Sequence, residues 1–142
     1  MWMWLLGIFS GIMAVNTAMY DQNSQSSNIT EHDLNQRAVQ TVQYMNVIND
    51  WRYLHPDKTT GSINNNDLGW YGIQDIKNIL DGNRAFVYQK NTQGLIASLI
   101  TASNASFLVG TVKNHRIYDS AGADMGVSVP EIIPNNYVVY LN

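Results

Sequence analysis

The sequence contains no cysteine. That removes thiol catalysis, cysteine-based zinc sites, iron–sulfur clusters and a disulfide framework, although it does not fix the compartment. Charge is scarce as well: Asp, Glu, Lys and Arg make up 13% of 142 residues, about half the usual share, and seventeen Asn supply much of the missing polarity. Eight Lys and Arg against eleven acids give a net charge of −3. No basic stripe exists to displace counterions from a duplex, so nucleic acid is excluded as a partner. Catalytic signatures are equally thin. His32, His55 and His115 are far apart and belong to no metal-binding spacing. Each is read as a surface or capping histidine. Ser128 lies in Gly126-Val-Ser-Val-Pro130, where proline stands in place of the glycine a nucleophile elbow needs. Asp119 and Asp124, around Gly122–Gly126, are read as turn residues rather than cation ligands, and Asp50 and Asp57 as solvated charges. No catalytic residue, metal ligand or cofactor site is expected, and no small-molecule substrate.

What is present begins with an apolar run. Residues 1–15, MWMWLLGIFSGIMAV, carry no charge, and the first basic side chain is Arg37. As a helix, Trp2 to Tyr20 spans about 28 Å at ~1.5 Å per residue, close to a hydrocarbon core of ~30 Å. Trp2, Trp4 and Tyr20 sit where interfacial aromatics belong, and Leu5, Leu6, Ile8, Phe9, Ile12, Met13 and Val15 supply the apolar body. Residues 1–20 are therefore expected to anchor the chain in a membrane. Two other readings weigh against this one. A cleaved signal peptide lacks its basic start here and has a poor cut site at Asn16-Thr17-Ala18. A buried core helix would have to hide two tryptophans near its end. Gly7 and Gly11 have the small-xxx-small spacing of a membrane-helix packing face. Charge alone cannot orient the segment, because no basic residue flanks it.

Residues 21–28 (DQNSQSSN) form a polar linker, and 29–142 a single folded domain. Thr30 and Asp33 have the spacing of a capping box. From Leu34, apolar residues at Ala38, Val42, Met45, Ile48 and Trp51 predict a long amphipathic helix. It must end at His55, ahead of Pro56. Residues 57–66 read as turns and 73–80 (IQDIKNIL) as a short helix through Ile73, Ile76 and Leu80. After the turn Asp81-Gly82-Asn83, residues 85–89 read as a strand, 95–102 as a buried helix, and 107–112, 116–118 and 137–141 as strands. Lys113-Asn114-His115 forms a tight connection. The class is α+β: a membrane helix, then a long amphipathic helix packed on a small antiparallel sheet, a pilin-like plan.

Several residues carry a resemblance. An apolar N-terminal helix is followed by Tyr44 and Trp51 on the long helix, His55-Pro56, Gly61-Ser-Ile63, Leu68 and Trp70. Ala85-Phe-Val-Tyr88, Gly94-Leu95 with Leu99, and Val109-Gly110 come next. The ending, Val129-Pro130-Glu-Ile-Ile-Pro134-Asn-Asn-Tyr-Val138-Val139, is the most specific piece. Together these resemble the PilM family of small pilus-biogenesis proteins, encoded with the type IVb thin pili of conjugative plasmids. The sequence departs from that pattern in its Asn-rich loops and at Asn91-Thr-Gln93. The resemblance implies an inner-membrane protein, single pass, with a periplasmic C-terminal domain, serving the pilus basal body or pilin handling. It implies other pilus-assembly proteins as partners and names no catalytic residue. Pro130 and Pro134 fix φ and remove two amide donors, so Val129–Pro134 is expected to run extended, as a partner surface or as a rigid turn. The alternatives are a minor pilin or pseudopilin-like subunit and, further off, a membrane-anchored periplasmic enzyme. A pilin would carry a basic leader, a processing glycine and an early acidic residue, and residues 1–20 contain neither acid nor base.

Overall fold

The computed structural model describes residues 32–104 and 108–141. The long helix α1 occupies 32–54 and stops one residue before His55, as the Pro56 restriction demands. Ala38, Thr41, Tyr44, Met45 and Ile48 form its buried face. Their three- and four-residue spacing is what turns them toward one side. Val39 and Leu54, which flank that face, are exposed. At the helix end the His55 ring stacks on Trp51, centroids 3.9 Å apart, and its Nδ1 donates to the Trp51 carbonyl at 2.9 Å. The capping role expected for His55 is thus seen. His32 is exposed on α1, and His115 lies in a turn.

After α1 come β1 (Thr60–Gly61), the short helix α2 (Asn65–Leu68), β2 (Lys77–Asp81), β3 (Arg84–Lys90) and α3 (Leu95–Ala102). They are followed by β4 (Val109–Lys113), β5 (Arg116–Tyr118), β6 (Asp124–Ser128) and β7 (Tyr137–Leu141). The seven strands form one sheet in the order β1-β2-β3-β7-β4-β5-β6, every neighbouring pair antiparallel. The expected α+β plan holds for the folded domain. The expected membrane helix and linker fall outside the described residues, as do Thr30 and Phe107. Among the described residues, no helix is long and apolar enough to cross a membrane.

One sheet face packs on the helices. Leu80, Ala85 and Val87 meet Tyr44, Met45 and Ile48 of α1, while Val109 and Val138 meet Ala38 of α1 and Leu95 and Leu99 of α3. Period-two alternation sends Phe86, Tyr88, Val139 and Leu141 to the other face. There they join Val112, Ile117, Val129 and Ile133 in a second apolar cluster. The sheet covers that face itself by curling. Gly110 on β4 makes this possible: a Cβ there would collide with the Tyr118 carbonyl oxygen and with Ile117 Cγ2. The glycine lets the end of β5, paired beside β4, close in on the β4 backbone at Tyr118 and Ile117.

Four local expectations are corrected. Residues 73–80 are not helical; Lys77–Asp81 is strand β2, paired with β3 over five residue pairs. The Gly82-Asn83 turn, with Gly82 at φ 61°, brings the two strands into register, and this pairing outweighs the helical spacing of the isoleucines. Residues 57–66 are not only turns but contain β1 and the start of α2. Residues 124–128 form the edge strand β6 rather than a flexible turn. Val129–Pro134 does not run extended throughout: the Pro130 carbonyl accepts the Ile133 amide at 3.1 Å, closing a turn.

Candidate functional site

The membrane-anchoring residues named from sequence (Trp2, Trp4, Leu5, Leu6, Ile8, Phe9, Ile12, Met13, Val15 and Tyr20) lie outside the described residues. So do Gly7 and Gly11.

The two prolines can be placed. Each opens a turn: Ile133 donates to Pro130, and Tyr137 donates to the Pro134 carbonyl at 3.4 Å. Val129 and Ile133 point into the second apolar cluster, whereas Ile132 stands 58% exposed between them. The segment is laced to the β4–β5 hairpin. Asn136 N donates to the Val112 carbonyl at 2.8 Å, and the Asn135 side chain accepts the Asn114 amide at 3.1 Å. The prolines therefore shape a rigid clasp that directs the chain into β7, with Ile132 and Pro134 exposed on its outer surface.

The most ordered polar constellation lies between α1 and β2. Tyr44 donates its hydroxyl hydrogen to Asn65 Oδ1 at 2.6 Å and accepts from Asn78 Nδ2 at 2.6 Å. Burial raises the Tyr44 pKa, and the Asn78 hydrogen bond offsets part of the rise. Tyr44 is thereby kept as a neutral phenol able to donate. Asn78 also binds both main-chain groups of Ile63, each at 2.8 Å. Trp70 packs against the Tyr44 ring at 4.9 Å and donates Nε1 to the Ile73 carbonyl at 3.0 Å. Gln40 accepts the Ile73 amide at 2.7 Å. Beside this network is an open cavity of about 270 Å³, walled by Ser62, Gln74, Lys77 and Tyr88 among others.

A second constellation begins at Arg37. Its guanidinium grips both oxygens of Asp75, at 2.7 and 3.2 Å, and donates to Gln89 Oε1 at 3.0 Å. Buried Gln89 passes the chain on to Thr41 Oγ1 at 2.8 Å. The Arg37 hydrogen bonds hold the Asp75 carboxyl below its ordinary pKa against a smaller opposing effect of burial. These two networks pin the 69–76 loop to α1 and the sheet. They join no nucleophile to a base. Asp119 closes its own turn by accepting the Ala121 and Ala123 amides, and Asp124 pairs with Arg116 at 2.7 Å. Among the described residues no three His, Asp or Glu side chains group to hold a metal ion.

Sequence reasoning did not single out Asn78 or Gln89. For Asn78 the signal was present, a polar residue in a buried register of the alternating strand β2; Gln89 sits on β3, which is buried on both faces and gives no such alternation. Edge strand β6 was also missed, hidden by Gly126 and Asp124.

The geometry defines a small α+β domain whose distinctive groups position loops and surfaces. Its relatives agree with that class. The chain belongs to the PilM family, whose model matches residues 5–141. It is similar to the crystal structure of a protein assigned as PilM from Escherichia coli B7A. That likeness has 29% identity and a TM-score of 0.66, covering 80% of this chain and 94% of that one. No curated protein matches at a significant level. Membership associates the chain with pilus biogenesis.

Proposed function

We propose that this chain is a non-catalytic component of a type IV pilus basal body, held at the bacterial inner membrane by a single pass through residues 1–20. Its folded domain works in the periplasm through contacts with other pilus-assembly proteins. The family match carries this reading, because it takes in the apolar run from Leu5 onward together with the folded domain. The networks at Tyr44 and Arg37 support it too, since they rigidify surface loops, which lowers the ordering cost of a contact.

The rival is a minor pilin, which shares the plan of a helix packed on an antiparallel sheet. Carbonate extraction combined with mass spectrometry of the mature N-terminus separates the two. The proposal expects a membrane-resistant protein with residues 1–20 intact. An N-methylated start after a glycine would make it a pilin, and a soluble protein beginning near Met19 would make it a secreted one.

A further inference from the structure

The C-terminal end of α1 gathers positive charge that the helix itself does not use. Lysine and arginine at such an end commonly bind the last free carbonyls. Here His55 and the backbone take those carbonyls instead. The His55 ring binds the Trp51 carbonyl, His55 N donates to the Arg52 carbonyl at 3.2 Å, and Lys58 N donates to the His55 carbonyl at 3.1 Å. Among the described residues, neither the Arg52 guanidinium nor the Lys58 ammonium joins an ion pair. Both residues line one open cavity of about 290 Å³. Three segments meet there: Asn49, Arg52 and Tyr53 from α1, Lys58 and Thr59 ahead of β1, and Asn83 from the β2–β3 turn. Asp50, Asp57 and Asp81 are close in sequence, yet none lines the cavity or pairs with either cation. Lys58 Nζ folds back over β1, where a Cβ added to Gly61 would stand 3.4 Å from it.

We infer that this cavity binds a phosphate monoester, held by Arg52 and Lys58. Two cations in a cavity that no carboxylate lines match a group carrying close to two negative charges. A carboxylate would balance only one of them. A guanidinium fork can take two phosphate oxygens and an ammonium the third. Thr59 and Asn83 add a hydroxyl and an amide as further donors. The space beyond the phosphate, flanked by Tyr53, admits the small organic body to which it is esterified. Arg52 is half-buried and gives up less side-chain freedom on binding than a fully exposed arginine would. The chain's net charge of −3 opposes anions at long range, so capture depends on these two side chains. A free phosphomonoester and a phospholipid headgroup present the same chemistry, and the test separates them.

The full-length protein in mild detergent is titrated at constant ionic strength with glycerol 3-phosphate, with acetate, and with micelles doped with dioleoyl phosphatidic acid. Backbone amide chemical shifts report the binding. Saturating shifts at Arg52, Lys58 and Asn83 are expected with glycerol 3-phosphate or with phosphatidic acid. Whichever of the two saturates at the lower concentration identifies the source as a free ester or a headgroup. Arg52→Gln and Lys58→Gln should each weaken the binding about tenfold, as loss of a charge-assisted hydrogen bond implies. Lys113→Gln, on β4 and away from the cavity, should leave it unchanged. Lys58 is exposed, so Lys58→Gln decides the matter if Arg52→Gln perturbs α1. Acetate should bind about tenfold more weakly than the phosphomonoester, since it offers a single charge. Shifts that stay linear through the millimolar range for both phosphate probes would overturn the inference. So would equal affinity for acetate, or affinity unchanged by Lys58→Gln.

Discussion

The side-chain amide of Asn78 holds both main-chain groups of Ile63, standing in for a strand neighbour at the point where the chain leaves β2. β1 pairs with β2 only at Thr60 and Gly61. The amide reaches Ile63, two residues beyond the last paired residue Gly61, where the chain has parted from β2. Because Asn78 also donates to Tyr44, one buried side chain fixes loop, helix and sheet together.

Asn78→Leu should therefore cost more than an ordinary polar-to-apolar exchange. It leaves the Ile63 amide and carbonyl buried without partners, and the expected loss is about 2–4 kcal/mol. Tyr44→Phe removes one hydroxyl from the same network and should cost about 1 kcal/mol. Urea denaturation tests both, with a lowered midpoint at unchanged slope as the expected signature.

Gly110→Ala should destabilise by about 1–3 kcal/mol, because the added methyl forces β5 away from β4. Gly122→Ala provides the contrast, since nothing lies within 4 Å of its Cβ and only the positive φ opposes it. Hydrogen exchange should show the β5–β6 amides losing protection in the Gly110 variant and the β2–β3 amides keeping theirs.

Met45 is 2% exposed against Ile48 and the sheet. Met45→Asp places an unpaired charge there and should abolish the cooperative thermal transition seen by circular dichroism. A preserved transition would mean the buried face of α1 is wrongly assigned.

The Arg37–Asp75 pair gives a pH signature. Its folded-state carboxyl pKa lies below the ordinary 3.8, so its contribution is complete above that value and disappears as pH falls through the folded one. The Asp75 side chain is 68% exposed, and solvent screening limits the contribution to about 0.5 kcal/mol. Asp75→Asn should accordingly melt slightly earlier than the parent at pH 7 and converge with it only once the pH has fallen below 3.8 and through the folded-state value.

Much of this fold was legible in the residues. The residues located α1 and its end at Pro56, the helix at 95–102, though only its Leu95 and Leu99 are buried, and the strands at 116–118 and 137–141. Strand β2 was hidden because Ile73, Ile76 and Leu80 fit a helical period, while the decisive fact was pairing with β3 through Gly82. Such pairing is a property of two segments and does not show in one. The turn at Pro130 was hidden for a related reason: proline sets its own φ but not where Ile133 will find an acceptor. The Tyr44–Asn78 network was foreshadowed only by an asparagine in a buried register. The close approach of Tyr118 and Ile117 to Gly110 is likewise a relation between two strands, which no local pattern encodes.

The central claim is that a membrane-tethered domain takes part in building the pilus, and piliation itself tests it. Residues 1–20 are replaced by a cleavable export signal, so that the domain reaches the periplasm folded but free. Tethering supplies a high local concentration at the assembly site that a diffusing domain lacks. The account predicts loss of surface pili in a strain carrying only the released domain, with recovery when residues 1–20 are restored. Normal piliation by the released, folded domain would contradict it.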